Sequence, residues 1–180
     1  MQRRIVRTSL LMPMIAVMLL VTGSAFAQVP NPDTVYQIIA RHSGKCIEVD
    51  GGPGAFSNGA LVVQRRCNGA ATNQLWTFNS VGAGYYTITA RHSGKVLDVF
   101  GGVFSGADGV IVEQWDFNGS PNQMWNLGDV GDGYFSITAR HSNKSLDIKG
   151  VAPYDGAQVQ QNTYGSGANQ QFRLVPVSRR

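Results

Sequence analysis

The sequence is poor in charge, since only 14% of its 180 residues are Asp, Glu, Lys or Arg. Three of the fifteen basic residues lie in the first 27 positions, which leaves twelve basic against eleven acidic residues in the remainder. Nucleic-acid binding that depends on phosphate neutralisation needs a clustered basic face, and no such cluster occurs. We therefore expect no nucleic-acid partner.

Long apolar runs are also absent, apart from one near the N-terminus. Residues 10–21 form a run that Pro13 interrupts, and it is too short for a comfortable membrane span. The run follows three arginines and precedes Ala25-Phe26-Ala27, a small-x-small cleavage site. We predict a signal peptide over residues 1–27 and one secreted domain over residues 28–180, extracellular or periplasmic and not inserted in a membrane. An uncleaved anchor is the alternative.

Cysteine is scarce, because the chain has only Cys46 and Cys67. In an exported protein, two thiols 21 positions apart most simply form a disulfide. Such a cross-link stabilises the fold by about 3 kcal/mol in the chain-entropy model. A metal pair or a nucleophilic cysteine is the alternative, but no suitably spaced ligands accompany either residue. We expect no metal and no cofactor.

A sustained apolar period of 3.6 residues is missing as well, so long amphipathic helices are not predicted. The sequence instead contains one stretch three times, at residues 40–49, 90–99 and 139–148. Around each copy, short segments that alternate apolar and polar residues are separated by glycine-rich turns, a pattern that predicts four strands per repeat. Three such repeats, at about residues 35–84, 85–133 and 134–176, predict an all-β assembly of twelve short strands with threefold pseudosymmetry. A three-bladed propeller is the alternative, although so few blades would be atypical.

Each repeat ends in a motif of the form Gln-x-Trp. The three copies are Asn73-Gln74-Leu75-Trp76, Asn122-Gln123-Met124-Trp125 and the variant Asn169-Gln170-Gln171-Phe172. Upstream stand Ile47-Glu48-Val49, Leu97-Asp98-Val99 and Leu146-Asp147-Ile148. With Leu-Asp-Val and Gln-x-Trp equivalents in phase, residues 36–175 resemble the ricin B-type lectin family, which implies a β-trefoil. This family often has a within-repeat disulfide at the positions of Cys46 and Cys67.

The resemblance implies one shallow sugar pocket per repeat. Its parts are the Asp of Leu-Asp-Val, an aromatic residue at the end of the third strand, and the Asn and Gln before the core Trp. An aromatic ring covers the apolar face of a pyranose, while a carboxylate and amides fix the hydroxyls. The second repeat has the full set: Asp98 as acceptor, Trp115 as platform, Asn122 for a hydroxyl and Gln123 as support. The alternative is that Trp115 covers an apolar edge and Asp98 caps a turn.

The other two repeats depart from this pattern. The third keeps Asp147, Asn169 and Gln170, but Asn162 stands at the platform position. A ring there would have to come from Tyr154 or Tyr164. The first repeat has a degenerate set, in which Glu48 replaces the Asp and Arg65 replaces the ring; only Asn73 and Gln74 are retained.

Three Arg-His pairs, which begin at Arg41, Arg91 and Arg140, precede the first turn of each repeat. Three symmetry-related imidazoles could converge on zinc. A closed barrel splays such turns outward, however, so we interpret the pairs as scaffold copied with the fold. We expect Trp76, Trp125 and Phe172 in the core.

These residues predict a protein that binds carbohydrate without cleaving it. Glycoside hydrolysis requires two carboxylates flanking one bond, and Asp98 and Asp147 belong to different repeats. Galactose-type or xylose-type sugars and their polymers all fit a carboxylate beside a ring, and a secreted protein partner is left open. The alternative function is a protein-binding module, of an inhibitor or toxin-partner type, that acts through exposed loops at residues 100–109 or 151–156.

Overall fold

The computed structural model describes residues 30–177, and these form twelve strands joined by turns and short 3-10 segments. The first repeat contributes β1 (Tyr36–Ala40), β2 (Cys46–Val49), β3 (Ala60–Arg65) and β4 (Trp76–Gly82). The second contributes β5 (Tyr85–Ala90), β6 (Val96–Val99), β7 (Val112–Trp115) and β8 (Trp125–Gly131). The third contributes β9 (Tyr134–Ala139), β10 (Ser145–Ile148), β11 (Ala157–Asn162) and β12 (Phe172–Pro176). The predicted signal peptide lies outside the described residues.

Six of the strands close into a barrel. Antiparallel pairing runs in a ring from β1 to β4, β5, β8, β9 and β12 and returns to β1. Closure removes the exposed sheet edges that the isolated hairpins would have. The pairing of β1 with β12 fastens the start of the described chain to its end. The predicted all-β fold with threefold pseudosymmetry is confirmed.

The other six strands form three hairpins that cover one end of the barrel. β2 pairs with β3, β6 with β7, and β10 with β11. The hairpins contact each other in a triangle, since β3 pairs with both β7 and β11, and a bridge between Ile111 and Gln160 joins the remaining pair. Each candidate site lies on one of these hairpins, so hairpin register decides which side chains share a face.

The motif aromatics occupy the core, as predicted. Trp76, Trp125 and Phe172 are fully buried. Each indole is also hydrogen-bonded: Nε1 of Trp76 donates to the Ile47 carbonyl, and Nε1 of Trp125 donates to the Leu97 carbonyl. A buried indole N–H needs such a partner. The Gln-x-Trp tryptophans therefore tie β4 and β8 to the strands that carry Glu48 and Asp98.

The three histidines hold neighbouring repeats together and do not converge. Nε2–H of each one donates to a backbone carbonyl in the hairpin loop of another repeat, at 2.9–3.2 Å: His42 to Ala152, His92 to Ala55 and His141 to Ser105. Within residues 30–177, no group of three or more His, Cys, Asp or Glu is placed to hold a metal ion. The contacts agree with the interpretation of the Arg-His pairs as scaffold.

A buried glutamine on each hairpin extends the same inter-repeat joint. Gln64, Gln114 and Gln161 are fully buried, and the amide of each donates to two carbonyls of a neighbouring loop. A serine hydroxyl from the repeated turn donates to each glutamine Oε1: Ser43, Ser93 and Ser142. Because the joints run cyclically around the molecule, each repeat is completed by its neighbours.

The predicted disulfide is present and links Cys46 in β2 to Cys67, two residues beyond β3. Neither cysteine is free. None of the helical segments in the described part of the chain is long and apolar enough to cross a membrane.

Candidate functional site

The second repeat contains an open groove on the β6–β7 hairpin, with a volume of about 370 Å³. We call it the second-repeat groove; its lining residues are Asp98, Phe100, Gly101, Gly102, Glu113, Trp115, Asn118, Ser120 and Asn122. In the antiparallel register Val96 pairs with Trp115, and Asp98 pairs with Glu113. Alternate residues of a strand share a face, so Asp98, Glu113 and Trp115 project to the same side.

Asp98 forms the floor of this groove and is held by two amides. It is 5% exposed. Nδ2 of Asn122 donates to its Oδ1 at 3.0 Å, and Nε2 of Gln123 donates to its Oδ2 at 2.7 Å. Burial raises the pKa of Asp98 to about 6, although both amides act in the opposite direction. Two neutral donors fix the carboxylate, and its remaining lone pairs are free for a ligand.

Asn122 has a positioning role in the structure. Its amide donates to Asp98 and also to the Val99 carbonyl at 3.1 Å, so both of its N–H groups are in use. The residue is only 2% exposed. Gln123 is similar, because it donates to the Asp116 carbonyl and accepts from the Asn118 backbone N–H. The two amides predicted for this site, Asn122 and Gln123, are therefore buried and fix the orientation of the Asp98 carboxylate.

The rim of the groove is aromatic. Trp115, at the end of β7, is 39% exposed, and Phe100, directly after β6, is 53% exposed. Phe100 was not predicted from the sequence, because the equivalent positions in the other repeats, Asp50 and Lys149, are not aromatic. A half-exposed indole above a carboxylate combines an apolar surface with a strong acceptor.

Glu113 is the second residue that sequence reasoning missed. It lies opposite Asp98 across the hairpin and is 5% exposed. Within residues 30–177 its carboxylate has neither a hydrogen bond nor an ion pair. Burial, followed by the negative charge of Asp98, raises its pKa above the ordinary value. Pairing β6 with β7 residue by residue would have placed it in the site.

The third repeat brings Asp147 and Asn169 together without a ring at the platform. Nδ2 of Asn169 donates to Asp147 at 2.8 Å, and Nε2 of Gln160 donates to the other carboxylate oxygen at 2.9 Å. Burial raises the pKa of Asp147. Asn162, opposite Ser145, accepts a hydrogen bond from the Thr163 backbone N–H.

Of the remaining predicted residues of the third repeat, Gln170 also hydrogen-bonds Asp147 and opposes the rise in its pKa. Gln170 donates to the Thr163 carbonyl and accepts from the Gly165 N–H. Tyr154 is exposed, and its backbone carbonyl accepts from Gln64 of the first repeat. Tyr164 is 38% exposed. No ring contact or hydrogen bond joins either tyrosine to Asp147 in the described part of the chain.

The first repeat neutralises its own carboxylate. Arg65 Nε lies 2.6 Å from Glu48 Oε1, and Gln74 Nε2 donates to Glu48 Oε2 at 2.6 Å. Arg65 also contacts Asp50 at 3.0 Å, and Asn73 donates to the Val49 carbonyl. The adjoining groove is wide, about 830 Å³, but the charge of Glu48 is already compensated by Arg65.

Comparison with known proteins gives the family. The sequence profile described as Ricin-type beta-trefoil lectin domain-like matches residues 25–115, 72–159 and 121–180. These overlapping matches together cover all three repeats. The chain belongs to this family of β-trefoil lectin domains.

Solved structures agree with the assignment. ThreeFoil, a designed threefold symmetric protein, is 45% identical with a TM-score of 0.74, over 78% of this chain and 97% of that one. An exo-β-1,3-galactanase from Clostridium thermocellum is 36% identical with a TM-score of 0.76, over 83% of this chain but only 32% of the enzyme. A ricin B-like lectin from Macrolepiota procera, solved with lactose, is 23% identical with a TM-score of 0.67, over 82% and 97% of the two chains. No sequence among curated proteins matches the chain.

Proposed function

We propose that this protein is a secreted lectin that binds carbohydrate through the second-repeat groove and does not cleave it. One observation carries the proposal: the amide-held carboxylate of Asp98 lies on the same face as the half-exposed indole of Trp115, in an open groove. Secretion is supported by the N-terminal pattern of residues 1–27, and the disulfide agrees with an oxidising compartment.

The groove provides the two kinds of contact that a pyranose needs. The Trp115 ring would cover the apolar C–H face of the sugar, and Asp98 would accept hydrogen bonds from its hydroxyls. Burial removes competing water from Asp98, which strengthens those bonds. A shallow open groove of this size implies weak binding at a single site, so polymers that engage further sites would bind more tightly.

The ligand class that we propose is a galactose-type or xylose-type sugar or a polymer of it. Among the similar structures, one lectin was solved with lactose and one enzyme is a β-1,3-galactanase. These sugars are ligands of the similar proteins, and we would test them first on this chain.

Binding without cleavage is supported by the positions of the carboxylates. Glycosidases place two carboxyl groups on opposite sides of the scissile bond. Asp98 and Glu113 instead lie side by side on paired strands, beneath one face of any ligand on Trp115. Asp147 belongs to another hairpin.

A glycan array on the mature chain, followed by titration of the best ligand, tests the proposal. We expect Trp115→Ala to weaken binding at least about tenfold, since stacking on an aromatic side chain is worth roughly 1–3 kcal/mol for a nucleic-acid base and a pyranose face packs on the ring in a similar way. Phe117→Ala is the matched control, because Phe117 is an exposed aromatic two residues away that does not line the groove. Equal binding by wild type and Trp115→Ala, with the fold intact by circular dichroism, would refute the site.

A second candidate function is recognition of a secreted protein partner through the loop after β6. Phe104 in this loop is 96% exposed, and Val103 beside it is 41% exposed. Exposed apolar side chains at a loop tip are typical of protein contacts. Phe104→Ser distinguishes the two functions: it should leave glycan binding intact, whereas a protein-binding module would lose its partner.

A further inference from the structure

The second-repeat groove contains two buried carboxylates and no positive group. Asp98 and Glu113 are each 5% exposed and oppose each other in the β6–β7 register. None of the nine residues that line the groove is Lys, Arg or His. Both acids therefore project from paired strands into the same small volume without an internal counter-charge.

The other two repeats do not share this arrangement. The position opposite the carboxylate is held by Val63 in the first repeat and by Gln160 in the third. Glu48 of the first repeat has the guanidinium of Arg65 as its partner. Asp147 of the third repeat accepts the amide of Gln160. Replacement of the neutral residue by Glu113 is thus specific to the repeat that also has the tryptophan platform.

Glu113 is an acceptor that the protein itself leaves unused. It makes no hydrogen bond or ion pair with any described residue, yet it is more than nine-tenths buried and lines the groove. An unpaired buried carboxylate is costly, and a like charge beside it adds to the cost. A ligand that brings a positive charge between the two carboxylates would remove both penalties.

A protonated amine is the positively charged ligand group that fits this groove best. An ammonium group has three donors, enough to bond both carboxylates at once, and such charge-assisted bonds are about twice as strong as neutral ones. The Trp115 ring on the same face adds a cation–π attraction for the same group. A neutral hydroxyl could bond to Asp98 but would leave the charge of Glu113 uncompensated.

We propose that the second-repeat groove selects hexosamines with a free, protonated amine over their N-acetylated and unsubstituted counterparts. This inference rests on the proposed function, because it names the ligand class of the same groove. The amine would lie between Asp98 and Glu113 while the sugar ring stacks on Trp115. The acetyl group of an N-acetylhexosamine would remove the charge and add bulk at that point.

The test is calorimetric titration of the mature protein with matched sugars at pH 7, in 0.15 M NaCl with a chelator. The ligands are galactosamine, N-acetylgalactosamine and galactose, with glucosamine, N-acetylglucosamine and glucose in parallel. We expect the free amine of at least one series to bind about tenfold or more tightly than its N-acetyl partner. Glu113→Gln should lower that ratio at least about threefold, because only Asp98 then faces the amine. Asp129→Asn is the control for loss of one negative charge, since Asp129 is exposed in β8, and it should leave the ratio unchanged.

Three results would overturn the inference. If N-acetylated or neutral sugars bind as tightly as the free amines, the selectivity is wrong while the proposed function stands. If no sugar binds to the titrated protein or on the array, the proposed function fails with it. If Ca²⁺ alone, titrated without chelator, binds the wild type but not Glu113→Gln, the carboxylate pair is a metal site.

Discussion

At the scale of single residues, the second-repeat groove contains charged side chains that destabilise the fold and that a ligand could use. Asp98 is held by two amides but has no cation, and Glu113 has no partner among the described residues. A protein under selection for stability alone would have a neutral side chain at the position of Glu113, as the third repeat does with Gln160. The retained charges are therefore best explained by a ligand.

Glu113→Gln should stabilise the protein at neutral pH. The pKa of Glu113 is raised in the folded state, so the folded chain holds the proton more tightly than the unfolded chain, and stability is lost as pH rises above about 4.5. Removing the charge should recover roughly 0.5–2 kcal/mol at pH 7–8, the usual range for stabilising substitutions. Urea unfolding between pH 4 and 8 measures this. A difference that is the same at pH 4 and pH 8 would contradict an electrostatic cause.

Binding of a neutral sugar should weaken when the pH falls below 6. The pKa of Asp98 is about 6, so protonation below that value replaces a charged acceptor by a carboxylic acid. Below the pKa of Asp98, the affinity for the sugar should decline by no more than about tenfold for each pH unit, because a single group titrates. Titration of a neutral sugar from pH 4.5 to 8 checks this without interference from an amine. A flat profile would mean that Asp98 does not contact the ligand in its charged form.

At the scale of elements, the hairpins and the joints between repeats determine what the sequence reveals. The periodic strands and the three copies follow from local pattern, whereas the combination of Asp98 with Trp115 follows from the resemblance to the lectin family. The register of the β6–β7 hairpin would have identified Glu113, which pairs directly with Asp98. The carbonyl partners of the histidines and of Gln64, Gln114 and Gln161 could not be predicted, since they lie in other repeats and depend on barrel closure.

Gln114→Ala should be destabilising although this residue does not line the second-repeat groove. The fully buried amide donates to the Ala55 and Ser57 carbonyls of the first repeat; its removal takes the donor from Ser57, while Ala55 keeps the bond from His92. We expect a loss of about 2–3 kcal/mol. Gln158→Ala is the control, because Gln158 is a half-buried glutamine in β11. Similar midpoints of unfolding for both variants would show that the joint contributes little.

At the scale of the whole molecule, threefold pseudosymmetry in the fold does not extend to the sites. The first repeat pairs Glu48 with Arg65, the third has no ring at its platform, and the second alone, among the three hairpins, joins carboxylate and indole. Divergence of copied sites on a shared scaffold is expected when the copies are held together by contacts elsewhere. The first and third repeats thus complete the barrel and the joints that support the second-repeat groove.

A monosaccharide should therefore bind with a stoichiometry of about one per chain. The asymmetry of the three hairpins is the reason, since a ring and an available carboxylate coincide only in the second repeat. Calorimetry at high protein concentration gives this number directly. A stoichiometry close to three would mean that the first and third repeats bind without an aromatic platform.

The central claim is tested most directly by nuclear magnetic resonance of the indole N–H groups. The chain has three tryptophans, of which Trp76 and Trp125 are fully buried and only Trp115 lines the groove. Addition of the best sugar from the array should shift the Trp115 indole signal and leave the two buried signals in place. A bound sugar that leaves the Trp115 signal unmoved would contradict the account.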